Sequence, residues 1–183
     1  MRIAMLCLHG CPAVTPGQGN SGGAQVYVRE LSLALGRLGH FVDIFTLEHP
    51  PHPPGVQPQA DGVRVIHLEG VRDTTHLSVG YVNLPTTAAL LRFQQKMGVS
   101  YDIVHSHYWL SAQAGIESAR RWSIPHVAMF HTLGRVKMRA GGDPEPTRRL
   151  EAEAQAVAQS QAIVAATQEE KRLLIRLYRA DPS

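Results

Sequence analysis

Cysteine is scarce in this sequence. Only Cys7 and Cys11 occur among 183 residues, and two cysteines do not make the disulfide framework that stabilises small secreted domains. Met1 and Arg2 lead directly into an apolar segment at residues 3–6, without the cleavage pattern of a secretory signal. We therefore expect a protein of the reducing cytoplasm, while one bridge between the two cysteines stays open as an alternative.

Long apolar runs and clusters of basic residues are also missing. No run approaches the roughly 18 apolar residues of a membrane-spanning helix. The net charge is +3, but the arginines are dispersed along the chain, as Arg37, Arg64 and Arg120 show. Because a nucleic-acid interface gathers its cations on one surface, we expect no nucleic-acid partner.

The composition is typical of one folded globular domain. Hydrophobic residues make up 44% of the chain and charged residues 18%, which sets aside disordered and fibrous proteins. A chain of 183 residues fits one large domain better than two small ones. We therefore predict a single domain.

Short apolar runs alternate with amphipathic stretches along the chain, as in strands buried on both faces and the helices between them. The predicted strands are residues 3–8, 41–47, 63–68, 103–105, 126–130 and 162–166. The predicted helices cover about residues 27–38, 85–97, 109–121 and 150–158, with a last helix after Thr167. The buried stripe expected for the first helix is Tyr27, Leu31, Ala34, Leu35 and Leu38. Right-handed crossovers then predict the fold class α/β, a Rossmann-like parallel sheet with helices on both faces.

Three stretches rich in proline, glycine or polar residues interrupt this pattern, at residues 9–21, 49–61 and 132–145. The first and third follow predicted strands, and ligands of an open parallel sheet bind beside the carboxyl ends of its strands. They are therefore the candidate site loops. The middle stretch, with PPHPPG at residues 50–55, is too rich in proline for regular structure and is predicted to be a surface loop without function.

Residues 17–22 read GQGNSG, a literal match to the G-x-G-x-x-G fingerprint of dinucleotide-binding domains. About eight residues separate this motif from the first strand, and the acidic residue of the fingerprint would be Asp43, which lies inside a strand. An NAD-dependent oxidoreductase domain is therefore the lesser alternative. Gly22 and Gly23 fit a simpler role, because the N–H groups and the positive dipole end of a starting helix can face a phosphate. A flexible turn is the alternative for this pair.

Histidines follow two of the predicted strands, at His105, His107 and His131. Three imidazoles are enough ligands for a metal ion, but no carboxylate partner accompanies them. We therefore predict no metal site. A buried, hydrogen-bonded structural role is the expectation for His105 or His107.

Four motifs occur in an order that matches a known family. They are GGAQVYVREL at residues 22–31, DIVHSHYW at 102–109, FHTLGRVK at 130–137, and Arg148 with Arg149. Together they resemble the N-terminal half of family 4 retaining glycosyltransferases of the GT-B fold, and sucrose-phosphate synthases and mycothiol-type inositol-phosphate glycosyltransferases are similar. The resemblance covers nearly the whole chain, and four motifs in order are more specific than any one of them.

The resemblance implies an activity and a partner domain. Such enzymes move a sugar from a nucleotide-diphosphate donor, such as a UDP- or GDP-sugar, to an acceptor with retention of configuration and without a further cofactor. Residues 1–183 would form the acceptor-side domain, with the C-terminal nucleotide-sugar-binding domain absent from this chain. We therefore expect the isolated chain to be inactive. A non-catalytic sugar- or phosphate-binding module is the alternative, and association with a membrane surface is left open.

The resemblance also implies roles for single residues. Gly22 and Gly23 match the glycine pair that approaches the donor diphosphate. His131 matches the catalytic-site histidine that contacts hydroxyls of the donor sugar. The positions that hold an acceptor phosphate in the mycothiol enzymes are matched by Tyr108, Thr132 and Arg148.

Two features depart from the family pattern. The mycothiol enzymes carry a phosphate-contacting lysine before a Leu-Pro pair, whereas Leu84 and Pro85 follow GYVN at residues 80–83. Inositol phosphate as the acceptor is therefore in doubt. Glu145 and Glu153 have the spacing of the family's E-x7-E motif, but they lie outside its context, and the match is interpreted as chance.

Overall fold

The chain forms one sheet of seven strands in a computed structural model, which describes residues 1–14, 22–48, 53–72 and 83–182. The strands are β1 (Arg2–Leu6), β2 (Phe41–Glu48), β3 (Gly55–Ala60), β4 (Val63–Arg72), β5 (Ile103–His107), β6 (His126–Met129) and β7 (Ala162–Ile163). Their spatial order is β3-β4-β2-β1-β5-β6-β7. β3 pairs antiparallel with β4, and the other neighbouring strands pair in parallel. The predicted α/β class is therefore confirmed.

Six helices are present in the described part of the chain. They are α1 (Gly23–Arg37), α2 (Asn83–Met97), α3 (Trp109–Trp122), α4 (Gly134–Arg139), α5 (Thr147–Gln159) and α6 (Gln168–Tyr178). Within the described ranges, no helix has the length and apolar character needed to cross a lipid bilayer.

β1 is buried on both faces because helices cover the sheet from both sides. Ile3 and Met5 belong to a core cluster with Val28 of α1. Leu6 belongs to a second cluster with Leu90 of α2. Successive side chains of a strand point to opposite faces, so the apolar run of β1 serves two helical layers at once.

The chain changes direction across the sheet beside β1. It proceeds from β1 to β2 and β4 on one side, and the crossover through α2 then carries it to β5 on the other side. Right-handed crossovers in opposite directions place α1 and α2 on opposite faces. The loops that follow β1 and β5 therefore separate and leave a crevice, which is where ligands bind in open α/β sheets.

The prediction of an irregular loop at residues 49–61 is wrong for its second half. β3 pairs with β4, and the two-residue turn of Asp61 and Gly62 joins them, with Gly62 at a φ of +72°. Asp-Gly is a favoured hairpin turn because it tolerates positive φ, and Pro58 lies on the sheet edge, where proline is allowed. Residues 49–52 lie outside the described residues. The predicted loop at residues 132–145 likewise contains α4.

The buried face of α1 differs in part from the predicted stripe, of which Leu31 and Leu35 do pack against the core. Gln25, Val28 and Ser32 are the buried residues of this helix, whereas Tyr27 and Leu38 are 38% and 73% exposed. The Ser32 hydroxyl donates to the carbonyl oxygen of Val28 at 2.7 Å. A polar side chain that is hydrogen-bonded locally can join the core, and apolar periodicity does not reveal it.

Asp43 is buried in the amino-terminal half of β2 and holds an ionic cluster together. Its carboxylate accepts hydrogen bonds from Arg64 Nε at 2.5 Å and Nη2 at 3.0 Å, and from the Tyr101 hydroxyl at 2.6 Å. A dinucleotide-binding domain needs a free acidic group at the end of a strand. Asp43 therefore has a structural role, which weakens the oxidoreductase alternative.

Replacing Asp43 with alanine is expected to lower the free energy of unfolding by about 3 kcal/mol, the low end for buried ion pairs because the Arg64 side chain is 26% exposed. Urea unfolding followed by circular dichroism measures the change. Asp143→Ala, in an exposed loop, is the control and should cost less than about 0.5 kcal/mol. Equal stability of the two variants would contradict the role assigned to Asp43.

Candidate functional site

A cavity of about 250 Å³ lies at the crevice beside β1 and β5. Its lining residues are Cys7, His9, Gly22, Gly23, Ala24, Gln25, His107, Tyr108, His131 and Thr132. Five of the six residues predicted for the site are therefore brought together, and Arg148 is not among them. Residues 17–21 of the glycine motif lie outside the described residues. A larger cavity of about 450 Å³ between β4 and α2 contains none of the predicted residues.

The start of α1 forms one wall of the cavity. The Gln25 side chain accepts a hydrogen bond from the Gly22 N–H at 2.8 Å and donates to the carbonyl oxygen of His9. This side chain therefore ties the loop after β1 to the first turn of the helix. The Gly22 N–H is already engaged, so among the described residues the N–H groups of Gly23, Ala24 and Gln25 are the first-turn donors left for a ligand.

Gly23 combines an open surface with an uncompensated helix dipole. No acidic residue lies in the first turn of α1, so its partial positive charge is not neutralised there. A Cβ atom added at Gly23 would meet no atom of the described residues within 4 Å. Packing within the fold therefore does not require glycine at position 23. The close approach of an anion to the backbone would require it, because a side chain would stand in the way.

Two non-glycine residues with left-handed backbone form the opposite wall. Tyr108, which precedes α3, has a φ of +71°, and His131, which follows β6, has a φ of +63°. Side chains other than glycine rarely adopt this conformation, and it clusters at functional sites because surrounding contacts must hold it. Here the Tyr108 N–H donates to the carbonyl oxygen of Met129 at 2.8 Å, which ties the two strand ends together.

Three histidine rings are in successive contact, His105 with His107 and His107 with His131, and the last two line the cavity. His105 and His107 have ring centroids 4.2 Å apart, and Nδ1 of His107 lies 2.9 Å from Nε2 of His131. Burial, with the nearby His131, lowers the pKa of His105 to about 4, and burial also lowers the pKa of His131. Neutral imidazoles offer both a donor and an acceptor. Among the described residues, no group of three or more His, Cys, Asp or Glu side chains is arranged to hold a metal ion.

Thr132 is held by Arg149, the neighbour of Arg148 on α5. Nη2 of Arg149 donates to the Thr132 carbonyl oxygen at 3.1 Å and to its hydroxyl oxygen at 3.0 Å. The Arg149 guanidinium also lies 5.2 Å from the centre of the Tyr108 ring. Because the Thr132 hydroxyl accepts from Arg149, its own hydrogen is left to donate to a ligand.

Glu153 joins this arginine to the turn that carries His131. Its fully buried carboxylate accepts from Arg149 Nε at 2.8 Å, from the Gly134 N–H at 3.0 Å and from the Tyr178 hydroxyl. Glu145 accepts from Arg149 Nη1 at 2.9 Å. The two glutamates with the chance E-x7-E spacing are thus the carboxylate partners of one arginine, and they neutralise its charge.

Sequence reasoning assigned no structural role to Arg149, Glu153 or Gln25, and it did not predict the contact of His107 with His131. Arg149 and Glu153 are four residues apart on α5, a spacing that places opposite charges side by side on a helix. That signal was available in the sequence. Arg148 is exposed, and its role as an acceptor contact stays a prediction.

Comparison with known proteins settles the family. The model of Glycosyltransferase Family 4 matches residues 21–183. The chain belongs to this family. This family 4 domain is 44% identical over 188 residues to a D-inositol 3-phosphate glycosyltransferase of Xylanimonas cellulosilytica, covering 98% of this chain and 45% of that protein. It is 43% identical over 189 residues to the protein of the same name from Jonesia denitrificans, covering 99% of this chain and 44% of that protein.

A solved structure supports the same assignment. Sucrose-phosphate synthase from Thermosynechococcus elongatus matches the family 4 domain with a TM-score of 0.86 and 26% identity, over 97% of this chain and 45% of that chain. The predicted resemblance to the N-terminal half of a GT-B glycosyltransferase is confirmed. The family 4 domain spans less than half the length of each of these three proteins.

Gly23→Ala tests whether an anion approaches the start of α1 in this family 4 domain. In the full-length protein we expect the KM for the donor to rise about 10-fold, because a methyl group would occupy the approach path. The free energy of unfolding should stay unchanged or rise by up to about 1 kcal/mol. Initial-rate kinetics and urea unfolding measure the two effects.

Gly39→Ala, just beyond the end of the same helix, is the matched control. Gly39 has a φ of +83°, so alanine should cost about 1 kcal/mol of stability and leave the donor KM unchanged. An unchanged donor KM in Gly23→Ala would contradict an anion site at the helix start.

Arg149→Ala and Arg148→Ala distinguish the contributions of two adjacent arginines to stability. The loss of Arg149 leaves Glu153 buried without its charge partner and is expected to lower the free energy of unfolding by about 3–5 kcal/mol. The exposed Arg148 should change stability by less than about 0.5 kcal/mol. Urea unfolding of both variants checks this, and similar midpoints would show that the network around Glu153 does not hold the fold.

Proposed function

We propose that this chain is the acceptor-side half of a retaining glycosyltransferase that uses a nucleotide-diphosphate sugar, such as a UDP- or GDP-sugar. The observation that carries this proposal is the cavity in which the start of α1 faces the neutral side chain of His131. The first element favours a phosphate, and the second favours sugar hydroxyls. The names of two relatives, both D-inositol 3-phosphate glycosyltransferases, also support a sugar-transfer function.

The donor is proposed to lie with its diphosphate at Gly23 and its sugar at His131. During transfer the bond between the anomeric carbon and the diphosphate oxygen breaks, and the oxygen keeps the electron pair. A bond to the acceptor oxygen forms as that hydroxyl gives up its proton, which the departing nucleoside diphosphate takes up. The helix end would stabilise negative charge growing on the diphosphate without a metal ion.

The acceptor is proposed to bind beside Tyr108 and Thr132, with Arg148 as its cationic contact. The Thr132 hydroxyl hydrogen is free to donate, and the charge of Arg149 is neutralised by Glu145 and Glu153. Inositol phosphate is the acceptor that the relatives' names suggest. The absence at residues 80–83 of the phosphate-contacting lysine of the mycothiol enzymes argues against this acceptor.

A second domain is proposed to complete the active site. Among the described residues, the cavity lining includes no lysine or arginine, and the start of α1 is the source of positive potential that they offer to the diphosphate. Most of the charge stabilisation would come from the other half, and we therefore propose that the isolated chain turns over negligibly. The two buried free thiols support a reducing compartment, and we place the reaction in the cytoplasm.

His131→Ala in the full-length protein tests the proposal. Donor consumption and transfer are measured with UDP- and GDP-sugars, using inositol 3-phosphate, inositol and sugar phosphates as acceptors. We expect the variant to lose at least about 100-fold in kcat/KM, or about 2.7 kcal/mol of transition-state stabilisation. His40→Ala, which precedes β2 at the amino-terminal end of the strand and so away from the cavity, is the control and should retain activity.

Two results would overturn the proposal. A full-length protein that neither binds nor consumes any nucleotide-sugar is not a glycosyltransferase. A full-length protein that binds a nucleotide-sugar but transfers it to no acceptor, and hydrolyses none, fits the non-catalytic binding module instead.

A further inference from the structure

His107 and His131 share one hydrogen bond at the edge of the cavity. Nδ1 of His107 lies 2.9 Å from Nε2 of His131, and the two rings are inclined by 28°. The His107 side chain is almost fully buried, at 1% exposure. Burial, together with His105 and His131, keeps the pKa of His107 well below its ordinary value. Since both rings are neutral, only one of the two facing nitrogens carries the hydrogen of this bond.

The buried side of His107 indicates which nitrogen carries it. Nε2 of His107 is buried and has no hydrogen-bond partner among the described residues. If His131 were the donor, the hydrogen of His107 would sit on that Nε2 as a buried N–H without an acceptor. If His107 donates from Nδ1, its Nε2 is left with a lone pair only. Orphaned buried N–H groups are rarer than under-satisfied acceptors, so the second arrangement is favoured.

The arrangement fixes the chemistry of the nitrogen that His131 presents to the cavity. When Nε2 of His131 accepts from His107, the hydrogen of the neutral His131 ring must sit on Nδ1. Within the described part of the chain, Nδ1 of His131 has no hydrogen-bond partner. It is therefore available to a ligand as a donor.

We infer that His107 is a positioning residue that holds His131 in the Nδ1–H tautomer, so that His131 presents a hydrogen-bond donor to a sugar or phosphate oxygen in the cavity. The ring contact with Tyr27, at 5.3 Å between centroids, and the left-handed backbone of His131 restrict the ring from other directions. The functional consequence rests on the proposed glycosyltransferase activity, whereas the tautomer does not.

The tautomer can be read directly from imidazole nitrogen resonances. Long-range proton–nitrogen correlation spectra of the 15N-labelled chain at neutral pH distinguish protonated from unprotonated ring nitrogens, and a His131→Ala spectrum assigns the signals. We expect His131 to be protonated at Nδ1 and unprotonated at Nε2, and His107 to be protonated at Nδ1. A His131 ring protonated at Nε2 would overturn the inference, and this measurement needs no variant of His107.

Two substitutions of His107 test the direction of the hydrogen bond. The side-chain amide of His107→Asn places a donor near the position of Nδ1, whereas His107→Leu has none. The asparagine variant should preserve the Nδ1–H tautomer of His131, and the leucine variant should return it towards a mixture of both tautomers. An unchanged His131 tautomer in a folded leucine variant would show that His107 does not control it.

Kinetics of the full-length protein connect the tautomer to function. His107→Leu should lower kcat by about 10–100-fold, the size of effect that a misplaced catalytic group causes, with a smaller change in the donor KM. His107→Asn should retain more of kcat than the leucine variant. Equal losses in both variants would contradict the positioning role. If the wild-type protein shows the expected tautomer but transfers no sugar, the proposed function fails and the assignment of the hydrogen bond stands.

Discussion

The structure depends on a central strand, β1, that is buried on both faces and from which the chain leaves in two directions. Its alternate side chains belong to two different core clusters, so both helical layers are anchored on the same four residues, 3–6. Right-handed crossovers to either side of this strand open a crevice at its carboxyl end. The location of the cavity therefore follows from the way in which the core is built.

The walls of that cavity are held by hydrogen bonds from distant parts of the chain. Gln25 links the loop after β1 to the start of α1, and Glu153 and Arg149 link the turn after β6 to α5. Such contacts can hold Tyr108 and His131 in backbone conformations that are unfavourable in isolation. Rigid neighbours of this kind are what a site needs to orient a substrate.

Electrically, the cavity is close to neutral despite the arginines nearby. Arg149 is paired with two carboxylates, and burial lowers the pKa of His131. Uncharged rings and hydroxyls suit sugar hydroxyl groups, and the start of α1 supplies a partial positive charge for one anionic group. This charge distribution agrees with the proposed function, in which this domain orients the substrates and most of the positive charge comes from a second domain.

The sequence by itself determined the alternation of parallel strands and helices along the chain, apart from α4. It also placed Gly22, Gly23, Tyr108, His131 and Thr132 at strand ends and a helix start. It did so because apolar periodicity and helix-start signals are local. The sequence did not reveal β3, although the Asp-Gly turn that creates it was present, because prolines obscured the pattern. Only the tertiary structure showed that Arg149 is buried against Thr132 while Arg148 is exposed, since neighbours on a helix differ by about 100° in direction and the packing of α5 sets which one is buried. The contact of His107 with His131 likewise joins two residues that are 24 positions apart, one at the end of β5 and one after β6. No local pattern encodes it.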